Sequence, residues 1–147
     1  APHLTSAAFD VFGTGPGAPA RVTGRTDDVL AASDVVLTAS GTATVQAALH
    51  EKPMVVVYRL SPLTYRLGKP LVRVDTYAMA NLVAGERLVP ELIQDDFTPK
   101  YLADELFRLL EPGVNASVRI KLKDAAKKLG QGGASKRAAE AILELIP

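Results

Sequence analysis

The stretch SDVVLTASGTATVQAALHEKPMVVVYR, residues 33–59, decides the fold. Asp34-Val35-Val36-Leu37-Thr38 is rich in β-branched and apolar residues, as a strand covered on both faces should be. Ser40-Gly41-Thr42 breaks that strand and opens a helix, and Val45, Leu49 and the alanines between them give the helix an apolar face. Pro53-Met54-Val55-Val56-Val57-Tyr58 is a second buried strand. Strand, helix and parallel strand within about 25 residues make a βαβ unit. The chain is therefore α/β, a parallel sheet with flanking helices.

Outward toward the N-terminus, Thr26-Asp27-Asp28 caps a short helix over Val29 to Ser33, and Arg21 to Gly24 is a short strand candidate. Residues 13–20, GTGPGAPA, read as a loop, because Gly and Pro break both regular periods. Toward the C-terminus, Pro62 suits the first turn of a helix. Asp75 to Gly85 has no clear period, and Glu86 to Gln94 is compatible with strand or helix. The last third is helical. Thr98-Pro99 starts a helix striped by Leu102, Leu106, Leu109 and Leu110, and Pro112-Gly113 ends it. Val118, Leu122, Ala125 and Leu129 stripe the next helix, which Gly130, Gly132 and Gly133 end. Ser135 caps a final helix with Ala139, Ile142, Leu143 and Ile146 on one face.

In open α/β sheets, ligands bind outside the carboxyl ends of the strands. Ser40, Gly41 and Thr42 stand there, at a helix N-terminus with free N–H groups and partial positive charge. Gly41 permits close approach of a phosphate, and the two hydroxyls can add hydrogen bonds; the alternative is a plain helix cap in a small-residue turn. The stretch carries neither the glycines of a dinucleotide fingerprint nor the Lys of a P-loop. Gln46 could reach a ribose hydroxyl, or simply face water. Tyr58 and Arg59 end the second strand on the same edge, where an Arg pairs well with phosphate or makes a surface ion pair. Residues 59–73 interleave Arg59, Arg66, Lys69 and Arg73 with apolar side chains, which suits an anionic membrane surface or a core helix with a basic outer side. The five Lys or Arg of residues 119–128 read first as a solvated face. His50 reads as a helix-end residue and Asp95-Asp96 as a polar loop.

Composition narrows the classes. Of 147 residues, 48% are hydrophobic and 22% charged, so a packed core is expected and general disorder is not. A net charge of +1 supplies no broad field for nucleic acid, and aromatics at 5% with no Trp argue against base-stacking platforms. No Cys is present, which excludes disulfides and thiolate zinc sites, and only His3 and His50 could add imidazole. We expect no metal and no cofactor. No apolar run approaches the roughly 20 residues that span a bilayer, so a soluble cytoplasmic protein is expected, with contact to the inner membrane as a peripheral option.

Three blocks, SDVVLTASGTATVQAAL, KPMVVVYRLSPLTYRLGKPLV and NLVAGERLVPELIQDDFTP, resemble the lipid-A-disaccharide synthases from about Val22 to Leu110. The resemblance implies an inverting glycosyltransferase of two Rossmann-like domains, the GT-B arrangement. Such an enzyme transfers diacylglucosamine from its UDP carrier to diacylglucosamine 1-phosphate and releases UDP. It implies that residues 1–110 are part of the UDP-sugar donor domain and 111–147 its C-terminal helices. By resemblance Ser40, Gly41 and Thr42 fall in the donor turn, Arg59 and Asn81 around the pocket, and Glu91 nearby. Catalytic residues are expected in the acceptor-binding part, not here.

Two positions depart from the family pattern, which usually has Glu at Gln46 and Pro at Ala80. The likeness starts partway through the donor domain, so two strands between Arg21–Gly24 and Asp34–Thr38 would be lacking. We expect the 147 residues to be one piece of a longer chain, or to be completed by a separate chain, rather than a stable solitary domain. The alternative function is a UDP-sugar-binding module without catalysis, or one chain of a split enzyme.

Overall fold

The computed structural model describes residues 9–11, 13, 15–68, 76–130 and 132–145. Strand β1 (Val36–Ala39), helix α2 (Thr42–Leu49) and strand β2 (Met54–Tyr58) form the βαβ unit. Helix α1 (Thr26–Ala32) precedes it. Helices α3 (Pro62–Gly68) and α4 (Met79–Ala84) lead to strand β3 (Glu91–Ile93). A 3-10 turn (Gln94–Asp96) follows, then helices α5 (Pro99–Leu110), α6 (Pro112–Lys128) and α7 (Ala134–Leu143). The sheet order is β1-β2-β3, all parallel, with Val36 opposite Met54 and Val56 opposite Glu91.

Burial explains the sheet. Met54, Val55 and Val56 are all buried, and successive strand residues point to opposite faces, so β2 is covered on both. Helix α2 packs on β1 and β2, α5 packs on β2, and α6 joins α5 to α2 and α4. Leu109 of α5, Leu122 of α6 and Ala47 of α2 close one core with Val55 and Val89.

The structure corrects several expectations. β1 is covered on one side only: Leu37 is 47% exposed and Ala39 is exposed, because no described element lies over that face. Arg21 to Gly24 is not a strand. Its Arg21 guanidinium turns back to donate to the carbonyls of Phe9 and Gly13, and no strand among the described residues lies alongside to complete a ladder. Helix α1 starts at Thr26, a turn earlier than expected, with Arg25 and not a side-chain cap before it. Pro112 does not merely end α5. Glu111 caps both helices, and Pro112 takes the first position of α6, where a missing N–H costs nothing. Ser135 lies inside α7, after Gly133, and α7 buries no residue; Ile142 and Leu143 are exposed. Glu86 to Gln94 resolves as loop and short strand, since Val56 N–H donates to Pro90 O and draws the segment onto β2. His3, Lys69, Leu71, Val72, Arg73 and Ile146 lie outside the described residues. No described helix is long and apolar enough to cross a membrane.

Candidate functional site

The carboxyl ends of the three strands gather most of the residues singled out in sequence. Ser40 follows β1, Tyr58 and Arg59 close β2, and Gln94 follows β3. Parallel strands force this gathering, because every chain reversal after a strand lands on the same side of the sheet.

Gly41 is the N-cap of α2 with φ 144° and ψ −163°, a region open essentially to glycine alone. No heavy atom lies within 4 Å of where a Cβ would stand, so the space beside it is open. Ser40 N–H donates to Val57 O and Thr44 N–H to Gly41 O, both at 3.1 Å. The amides of Gly41, Thr42 and Ala43 have no backbone partner among the described residues, as the first turn of a helix dictates. The turn is held from below by the buried Thr44, whose Oγ1 donates to Gly41 O at 2.8 Å.

The Ser40 hydroxyl is already engaged. It donates to the Tyr77 carbonyl at 2.8 Å, tying the β1–α2 turn to the segment before α4. Thr42 and Gln46 are exposed one turn apart on α2, and Tyr58 is 37% exposed at the end of β2. Arg59 leans toward β3. Its Nη2 donates to Gln94 O at 3.2 Å and Phe97 O at 2.7 Å, and its Cζ sits 5.1 Å from the Phe97 ring centre.

Asn81 and Glu91 stand one layer behind. Asn81 is 1% exposed, and its amide is fully used. Nδ2 donates to Val89 O and Glu91 Oε1, while Oδ1 accepts from the Leu88 and Val89 amides. Glu91 also accepts from the Tyr77 and Ala78 amides, at 2.8 and 3.1 Å. A continuous path of bonds therefore runs from β3 through Glu91 and Tyr77 to Ser40.

Sequence reasoning missed the roles of Tyr77, Phe97 and Gln94, since neither a lone carbonyl nor a lone amide has a periodic signature. The buried Lys52 was also missed; its Nζ donates to Ala31 O at 2.8 Å and closes the end of α1. The basic run of α6 is engaged throughout. Arg119 binds Asn115, Lys121 pairs with Glu86, Lys123 with Glu51, Lys127 with Asp124, and Lys128 with the Ala84 carbonyl. His50 caps α2 and its Nε2 lies 3.0 Å from Asp27 Oδ1, the helix-end setting expected of it. Asp95 and Asp96 are exposed in the 3-10 turn, and no group of three or more His, Cys, Asp or Glu among the described residues could hold a metal ion.

Residues 20–145 match the protein family described as lipid-A-disaccharide synthetase. The chain is 43% identical over 147 residues to the lipid-A-disaccharide synthase of Geobacter sulfurreducens, covering 99% of this chain and 36% of that protein. It is 43% identical over 130 residues to that of Myxococcus xanthus, covering 88% and 34%. Against the enzyme of Azotobacter vinelandii it is 49% identical over 122 residues, covering 83% and 31%. The chain spans about a third of the length of the curated relatives it matches. A buried βαβ core, the Ser40-Gly41-Thr42 turn and a family match over most of its length lead to one assignment: this chain belongs to the lipid-A-disaccharide synthetase family.

Proposed function

We propose that this chain is the donor-binding part of an inverting, GT-B-type glycosyltransferase of lipid A biosynthesis. The complete protein would move diacylglucosamine from UDP to diacylglucosamine 1-phosphate. The observation that carries the reading is the open turn at Gly41, where three amides at the start of α2 have no backbone partner among the described residues. A UDP leaving group gains negative charge as the sugar bond breaks. Helix N-terminal amides and a guanidinium stabilise that charge without a metal.

In this reading Gly41 and Thr42 face the diphosphate, Ser40 sets the turn through Tyr77, and Arg59 supplies positive charge from β2. Gln46 reaches the ribose, and Tyr58 lines the same rim. Asn81 and Glu91 serve the pocket by fixing the Tyr77 segment. The acceptor 6-hydroxyl attacks the sugar C1, with its base supplied by the acceptor-binding part of the protein. On α3, Leu63 and Leu67 are one turn apart and both more than two-thirds exposed, beside Arg66, which supports peripheral contact with an anionic membrane that carries the acylated substrates. Gln46 favours a second reading, a UDP-sugar-binding module or chain of a split enzyme, because an amide lacks the charge the family places there.

Calorimetric titration with UDP tests the site. Ser40→Trp, which fills the turn, is expected to weaken UDP by tenfold or more, about 1.4 kcal/mol. Unchanged affinity rejects the assignment. Turnover of the UDP-diacylglucosamine donor by the full-length protein separates enzyme from binding module.

A further inference from the structure

Arg59 directly follows β2 at the strand ends, yet a side chain with four rotatable bonds does not stand still unaided. We infer that Gln94 is a positioning residue that fixes the Arg59 guanidinium for the donor diphosphate. This inference rests on the UDP reading above.

Gln94 acts on Arg59 from two sides. The β2–β3 ladder ends with Tyr58 opposite Ile93. One residue further on, the Gln94 side chain replaces the missing rung. Its Oε1 accepts the Leu60 amide at 2.6 Å and its Nε2 donates to the Leu60 carbonyl at 3.2 Å. The backbone beside Arg59 is thereby held. Gln94 also has φ 54°, a left-handed conformation that strains a side-chain-bearing residue. That conformation turns the chain into the 3-10 turn and brings the Gln94 and Phe97 carbonyls to Arg59 Nη2, at 3.2 and 2.7 Å. The Phe97 ring supports the cation from one face. Among the described residues, Arg59 Nε and Nη1 make no hydrogen bond, so these N–H groups are left for an anion. Asp95 and Asp96, exposed in the same turn, make no ion pair with Arg59.

A glycine would meet the backbone requirement at lower strain but would lose both bonds to Leu60. Charge-assisted hydrogen bonds weaken steeply when donor and acceptor are misaligned, so a loosened Arg59 would lose anion affinity while the rest of the nucleotide pocket stayed intact.

The test compares UDP with uridine in the full-length protein carrying Gln94→Ala, Arg59→Ala, and both. Gln94→Ala is expected to weaken UDP by roughly tenfold, to leave uridine unchanged, and to add little to the loss in Arg59→Ala. Phe97→Leu, which removes the ring and keeps the carbonyl, should act in the same direction and serves if Gln94→Ala fails to fold. Equal losses for UDP and uridine, or additive losses in the double variant, overturn the positioning role. If Arg59→Ala weakens UDP and Gln94→Ala does not, the inference fails alone. If Arg59→Ala itself leaves UDP binding unchanged, the phosphate role of Arg59 fails, and the inference with it.

Discussion

Glu51 and Gln94 both have φ 54°, yet they ask for opposite substitutions. Glu51 closes α2: its amide donates to Ala48 O and the Lys52 amide to Ala47 O, the paired bonds of a left-handed helix end. Its side chain makes a long 3.8 Å contact with Lys123, and its charge also acts on Lys127. Glu51→Gly should therefore stabilise the fold by about 1 kcal/mol, read as a raised midpoint in denaturant. A lowered midpoint would mean that the Lys123 pair outweighs backbone strain. At Gln94 the same change would lose both bonds to Leu60 and is expected to destabilise.

Charge pairs on α6 give a residue-scale pH expectation. The hydrogen bond and charge of Lys127 hold the exposed Asp124 carboxyl below the ordinary carboxylate range, and the same pair holds Lys127 above the ordinary lysine range. A lowered folded pKa means the stabilisation is present above the unfolded value and fades as pH falls through the lowered midpoint. An NMR titration of Asp124 should show its midpoint rise toward the ordinary one in Lys127→Ala, with Lys123 still lowering it, and high salt should shrink the difference.

Among elements, the segment from α4 to β3 depends on one buried amide. Asn81 bonds the Leu88 and Val89 amides, the Val89 carbonyl and Glu91. Asn81→Ala leaves several of these groups buried and unpaired, so a loss of about 2–4 kcal/mol is expected in chemical denaturation. The loss should travel to the α2 turn, since Glu91 holds Tyr77 and Tyr77 holds Ser40. Hydrogen exchange that stays slow at Tyr77 and Ala78 in this variant would show the path is not coupled.

At the scale of the whole molecule, the sheet is closed on neither side among the described residues. β1 and β3 are edge strands, Leu37 is half exposed on β1, and α7 buries nothing. Exposed apolar strand edges recruit partners. We therefore expect residues 1–147, produced alone, to associate or to lack a cooperative, exchange-protected core. A monomer with slow, cooperative amide exchange would reject that view.

The local signals were the legible part. The βαβ unit, the glycine turn before α2, and α5 starting at Thr98-Pro99 were plain in sequence, because burial, φ preference and capping act within a few residues. The Thr98 hydroxyl does accept the Tyr101 amide at 3.2 Å. Which apolar stripes would find a partner was not legible. Leu122 and Leu109 are buried while Ile142 and Leu143 are exposed, and their sequence patterns look alike. The bonding partners of Gln94 and Asn81 were equally hidden, since an amide side chain bonds whatever the fold brings within hydrogen-bond reach. Short-range chemistry thus determined the βαβ unit, the α2 turn and the start of α5. Contacts between residues as far apart as Ser40 and Tyr77, or Arg59 and Phe97, were decided only when the parallel sheet set their strand ends side by side.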